Sequence, residues 1–163
     1  MDKKETFTAA IKTNEGIIYK MASLYTDSVE DRNDLVQEII YNLWKSFDTF
    51  HQKSSLSTWM YRVAMNVAVY HLKTSKRKIP TVPIEDQYLD GNDTENSDFE
   101  EKLQLFKQHV DNLNLLDKGI VMLYLENKSY QEIAEIVGIS ESNVGTKIAR
   151  IKDRLKKQIT KKI

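Results

Sequence analysis

Residues 129–157 read SYQEIAEIVGISESNVGTKIARIKDRLKK, two helical patterns joined by a tight turn and running into a basic tail. Ser129 and Glu132 have the S-x-x-E spacing of a capping box, in which each side chain satisfies an orphan N–H at a helix start. Tyr130, Ile133, Ala134 and Val137 recur at helical spacing on one face, and Ala134 is small where a second helix would cross. Gly138 follows the last periodic residue, where a left-handed backbone carries no Cβ penalty, and Ile139 can fold back onto the core. Ser140 then caps a second helix whose apolar positions Val144, Ile148, Ile151 and Leu155 form one stripe. Away from that stripe lie Ser142, Asn143, Thr146, Lys147 and Arg150, the short hydrogen-bonding and basic side chains that reading a DNA major groove requires. From Lys147 to the end there are eight Lys or Arg against one acid, Asp153. Such an excess neutralises phosphates and makes binding salt-dependent. An amphipathic hairpin with a solvated basic face would show part of this pattern, but cap, glycine turn, second cap and one-sided basicity all agree with a DNA-reading unit.

Upstream, the periodicity remains helical almost everywhere. The chain has 163 residues with five Gly and two Pro, and 40% are apolar, which suits small helical cores. We therefore expect an all-α fold. A first helix is predicted over 6–24, with Phe7, Ala10, Ile11, Ile17, Ile18, Met21 and Leu24 inward and Gly16 weakening its continuity. A second is predicted over 34–50, where Leu35, Ile39, Ile40, Leu43, Trp44, Phe47 and Phe50 form a wide apolar stripe. Its polar face presents Asp34, Gln37, Glu38, Asn42 and Lys45, which alone indicate only solvation. After the polar loop His51-Gln52-Lys53-Ser54-Ser55, a third helix is signalled by Ser57, Thr58 and Trp59. Met60, Val63, Ala64, Val67, Ala68 and Leu72 keep its period, while Tyr61, Arg62, Asn66, Tyr70 and Lys73 lie mostly elsewhere. It ends in Lys73-Thr74-Ser75-Lys76-Arg77-Lys78, four bases in six residues. Aromatics interleaved with bases suit single-stranded or melting DNA, although Trp59 as a core residue and the cations as helix-dipole partners fit equally well.

Between the two halves, residues 79–101 contain both prolines, eight acids and no base. That composition is of the disordered-linker type. At ~3.3 Å per residue, this linker spans at most roughly 75 Å, enough for two halves to touch DNA about two helical turns apart.

Several function classes are excluded by composition. There is no cysteine, so thiolate catalysis, thiolate metal sites and disulfides are absent. His51, His71 and His109 are isolated, and no phosphate loop or nucleophile motif is present, so no enzyme, cofactor or metal site is expected. No signal peptide or membrane-length apolar run is visible, which points to a soluble cytoplasmic protein that does not insert into membranes. Two non-enzymatic rivals are an operator-binding regulator, with the first half as effector or dimerisation domain, and an adaptor. The former has no need of a second basic aromatic helix, and the latter no need of the hairpin.

Read together, the motifs carry a family resemblance. Residues 34–44 (DLVQEIIYNLW) resemble region 2.2, and residues 56–66 (LSTWMYRVAMN) resemble regions 2.3 and 2.4, of the extracytoplasmic-function (ECF) sigma factors of bacterial RNA polymerase. Residues 116–155 resemble region 4. The resemblance implies a region 2 domain over 1–78, an acidic linker over 79–101 and a region 4 domain over 102–163. It implies that Asp34, Gln37, Glu38 and Asn42 dock on the clamp helices of core RNA polymerase. By the same resemblance, Lys53, Ser54, Ser55, Trp59, Tyr61, Arg62, Asn66, Lys73, Lys76 and Arg77 recognise and melt the −10 promoter element. Ser142, Asn143, Thr146, Lys147 and Arg150 would read the −35 element. The segment 113–124 would support the hairpin and help hold the polymerase flap tip, the linker would thread the RNA exit channel, and an anti-sigma factor is an expected partner. Two departures stand out. Gly145 occupies a position where the family commonly has a larger, often basic residue, and Ile151-Lys152 replaces a common Ala-Arg pair, so promoter preference is expected to be unusual.

Overall fold

The computed structural model describes residues 2–50, 54–75, 101, 104–105, 107–110 and 112–161, and among them every regular element is helical. The chain divides into two compact units, Met1–Asp86 and Gln87–Ile163. The expected linker, 79–101, falls almost wholly outside the described residues, as do Lys53, Lys76 and Arg77.

Four helices build the first unit: α1 (Lys3–Thr13), α2 (Glu15–Leu24), α3 (Val29–Ser46) and α4 (Leu56–Ser75), with a 3₁₀ turn at Phe47–Thr49. The helix expected over 6–24 is two helices. The break falls at Asn14, not at Gly16, with Asn14 at φ −122° and ψ 21° and its amide donating to the Ile11 carbonyl. The side-chain amide of Asn14 also donates to the Ala10 carbonyl, so a residue prone to local hydrogen bonding closes one helix and opens the next. Helix α3 begins five residues earlier than the apolar stripe indicated, because Ser28 accepts from the Asp31 amide as N-cap. Helices α2, α3 and α4 pack on one another around Met21, Leu35, Ile39, Leu43 and Met60, all fully buried. Helix α4 buries a wider face than its apolar period indicated. Tyr61 and Met65 join Met60, Ala64 and Ala68 inside.

The second unit contains α5 (Leu115–Leu125), α6 (Tyr130–Val137) and α7 (Glu141–Lys161), each packed on the other two. Ile120, Leu123, Ile133, Ile136, Val144 and Ile148 form its interior, and Ile151 joins Val110, Leu113 and Val121 at one end. The stripe expected on α7 is inside as read, with Leu155 partly covered. On α6, however, Ile136 is buried and Tyr130 is exposed. Tyr130 is the first helical residue, and its ring lies at the edge of α7 rather than beneath it.

Candidate promoter-DNA and polymerase surfaces

The hairpin of α6 and α7 is held by its ends. The Ser129 hydroxyl accepts from the Glu132 amide at 3.1 Å, and the Glu132 carboxylate reaches back to the Ser129 amide at 3.5 Å, completing the capping box. Gly138 has φ +83°, and its amide donates to the Ala134 carbonyl at 2.8 Å, ending α6 in the left-handed conformation that glycine favours. Ser140 accepts from the Asn143 amide at 3.1 Å and so starts α7. With Val144, Ile148 and Ile151 turned inward, Ser142, Asn143, Thr146 and Arg150 stand exposed on the outer face. Lys147 is different. It lies at the flank, half-buried, with its ammonium 3.3 Å from the Asp117 carboxylate in the first turn of α5.

The other flank of α7 carries a cation–aromatic contact. The Lys152 ammonium sits 4.5 Å from the centre of the Tyr124 ring. Hydrogen bonding to Tyr124 holds Lys152 above the usual lysine range. Desolvation opposes this, and the electrostatic influence of the Tyr124 and Tyr130 phenols adds to the rise. Tyr130 rests against Gly145, where an added Cβ would lie 3.5 Å from the ring.

In the first unit, Ser55 caps α4. Its hydroxyl accepts from the Thr58 amide at 3.1 Å and donates to the Thr58 hydroxyl at 2.9 Å, which commits it to holding the helix start. Ser54 precedes it, half-buried. Trp59 is half-buried at the end of an aromatic chain. Its ring lies 4.9 Å from Phe50 and 6.1 Å from Phe47, and Phe47 continues to Phe7 and Trp44. Tyr61, expected to face bases, is only 3% exposed, so its ring belongs to the core of this unit. The exposed tyrosine of α4 is Tyr70. Arg62, Asn66 and Lys73 are exposed, and their spacing places them along one strip of the helix.

On α3, Asp34, Gln37 and Glu38 are exposed, and Asn42 donates to the Glu38 carbonyl at 2.8 Å. Glu38 also meets His71 of α4 at 3.3 Å. Tyr41, 60% exposed with the Lys45 ammonium 5.3 Å from its ring centre, stands among these residues. The sequence reading passed over it. The signal was present, since positions 34, 38, 41 and 45 share one helical stripe.

Comparison with known proteins agrees with this two-part geometry. Residues 10–78 match the sequence model for Sigma-70 region 2, and residues 110–155 match that for Sigma-70, region 4. The chain is an ECF-type sigma factor of the sigma-70 family. Among relatives of this sigma factor, RNA polymerase sigma factor SigV of Bacillus subtilis is 27% identical, with 99% of this chain and 98% of the relative covered. The ECF RNA polymerase sigma-E factor of Haemophilus influenzae is 29% identical over 86% of this chain and 82% of its own. Two solved structures share the sigma-factor fold. CnrH, in complex with the cytosolic domain of CnrY, has a TM-score of 0.70 at 16% identity, covering 97% of this chain and 90% of its own. The sigma factor RpoE of Bartonella quintana, in complex with the anti-sigma factor NepR, has a TM-score of 0.67 at 21% identity, covering 96% of each. Among the described residues of this sigma factor, no helix is long and apolar enough to cross a membrane.

Proposed function

We propose that this sigma factor directs core RNA polymerase to its promoters by dividing recognition between its two units. The −35 element is read as duplex by Ser142, Asn143, Thr146 and Arg150 of α7, with Lys147 released from Asp117 to a phosphate. The −10 element is trapped as its bases unstack, by the loop before α4 and by Trp59, Arg62, Asn66 and Lys73 on that helix. Lys53, Lys76 and Arg77, outside the described residues, add positive charge for the same task. Asp34, Gln37, Glu38 and Asn42 dock on the polymerase clamp helices, and the second unit holds the flap tip. The protein makes and breaks no covalent bond. Its affinity for the melted state offsets the few kcal/mol that each flipped base costs.

The observation that carries this reading is the outer face of α7. Four side chains able to contact bases or phosphates are exposed together, on a helix fixed by two caps and a glycine turn. The acidic linker, threading the RNA exit channel, ties the two recognition steps together in one cytoplasmic protein, which an anti-sigma factor holds inactive until release. Support for that regulator comes from the Bartonella quintana relative, which was solved bound to one.

Run-off transcription tests the function directly, using purified core polymerase with and without this protein on a pool of promoter fragments. Protein-dependent starts that share two upstream elements are expected. No such start, with no competition against a housekeeping sigma factor for core polymerase, would replace this reading with an operator-binding regulator.

A further inference from the structure

Position 71 lies three residues after the fully buried Ala68, at the border of the α4 face that packs on α3. The sequence leaves His71 isolated. Across the helix pair, however, its Nδ1 stands 3.3 Å from Oε2 of Glu38, a residue of the face read as docking on polymerase. A carboxylate only accepts hydrogen bonds, so Nδ1 carries the proton of this contact. The two side chains are unequally exposed, His71 at 13% and Glu38 at 51%. The imidazole is therefore fixed by the bundle, while the carboxylate it holds still faces outward. One oxygen is engaged, and a carboxylate offers about four lone-pair sites, so it can still accept from an incoming donor. The backbone on both sides of the contact is held as well. Asn42 donates to the Glu38 carbonyl at 2.8 Å, and the Thr74 hydroxyl donates to the His71 carbonyl at 3.0 Å. A glutamate on an open helix face samples many rotamers, and a partner that needs one of them loses affinity to the freezing. A hydrogen bond made before the encounter removes part of that loss.

We propose that His71 is a positioning residue of the polymerase-docking surface, which from α4 holds the Glu38 carboxylate of α3 in the orientation that core polymerase engages. The inference rests on the docking read for Asp34, Gln37, Glu38 and Asn42, and deepens it. That surface then draws on two helices. His71 acts through Glu38 and not by contact with polymerase. A tie that merely joined α3 to α4 would show in stability and not in binding, so both are measured.

The test measures binding of the full chain to purified core polymerase, without DNA, by competition with labelled parent protein. His71→Phe keeps a ring and removes the donor. It is expected to weaken binding about two- to tenfold, the cost of immobilising one rotamer-rich side chain. His71→Asn keeps an N–H near the position of Nδ1 and should recover most of the loss. In a Glu38→Ala background, His71→Phe should cost nothing more, because the group it positions is gone. Urea unfolding of each variant separates binding from stability. If His71→Phe binds like the parent while Glu38→Ala binds weakly, the inference is overturned and the docking reading stands. A His71→Phe loss that persists undiminished without the Glu38 carboxylate also overturns it, since the ring then acts elsewhere. So does a failure of His71→Asn to recover any binding, which would assign the effect to ring packing. Parent-like binding by Glu38→Ala sinks the docking reading, and the inference with it.

Discussion

At position 145, a glycine stands inside α7. An interior helical glycine costs about 1 kcal/mol relative to alanine, and a Cβ at 145 would stand 3.5 Å from the Tyr130 ring, an ordinary contact. Gly145→Ala should therefore raise stability by about 0.5–1 kcal/mol in urea unfolding; a destabilised variant would show that the helix does not gain from a methyl at this position. On the proposed reading, Arg150 and Trp59 divide along the two steps of initiation. Arg150→Ala should lower affinity for the −35 duplex about tenfold and reduce the salt slope by about one, as for a lost phosphate or base contact. Trp59→Ala should impair promoter opening, read by permanganate reactivity, more than it impairs duplex binding. Equal effects of both changes on both steps would end this division. Because Trp59 packs 4.9 Å from Phe50, the comparison also needs Trp59→Phe, which keeps an aromatic there. Single residues were legible where chemistry and periodicity agreed, as for Arg150, exposed opposite a buried stripe. They were illegible where a polar atom sits on an apolar ring. Tyr61 was read outward as an aromatic interleaved with bases, yet its ring is inside, and Tyr130 was read inward for its spacing, yet it is out.

Helix ends were more legible than helix faces, because a cap is a local contract between residues a few positions apart. The Ser129–Glu132 box and the Gly138 turn were readable from sequence and have the expected hydrogen bonds. The Asn14 break was not, since it depends on a side-chain amide reaching the Ala10 carbonyl in competition with the turn itself. Gly138→Ala places a Cβ in open space, so its cost is backbone strain alone. We expect about 1–2 kcal/mol of destabilisation and a weaker −35 contact, measured by urea unfolding alongside duplex binding. Unchanged stability would mean the turn relaxes to another conformation. Between elements, Lys147 and Asp117 tie α7 to the first turn of α5. On the proposed reading, Asp117→Asn removes a carboxylate that competes with phosphate for Lys147. Binding to promoter duplex should tighten about two- to fivefold, within the worth of a part-exposed ion pair. Weaker binding would instead make Asp117 a positioning residue for Lys147.

For the whole molecule, each unit encloses its own core, one around Met21, Leu35 and Ile39 and the other around Ile120, Leu123 and Ile133. Chains 1–86 and 87–163 expressed apart should both be helical by circular dichroism and unfold cooperatively, though with the small margins of domains this size. A chain without helical signal would show that its core needs the other. The two-unit division was legible because composition changes sharply between the halves, from apolar periodicity to eight acids without a base. What sequence did not convey is how much of α4 is committed to packing. With Met60, Tyr61, Ala64, Met65 and Ala68 all inside, Arg62, Asn66 and Lys73 share the narrow outward strip. The helix is a ruler with marks on one edge. On the proposed −10 reading, substitutions at those few marks change what α4 prefers and leave the bundle beneath them undisturbed.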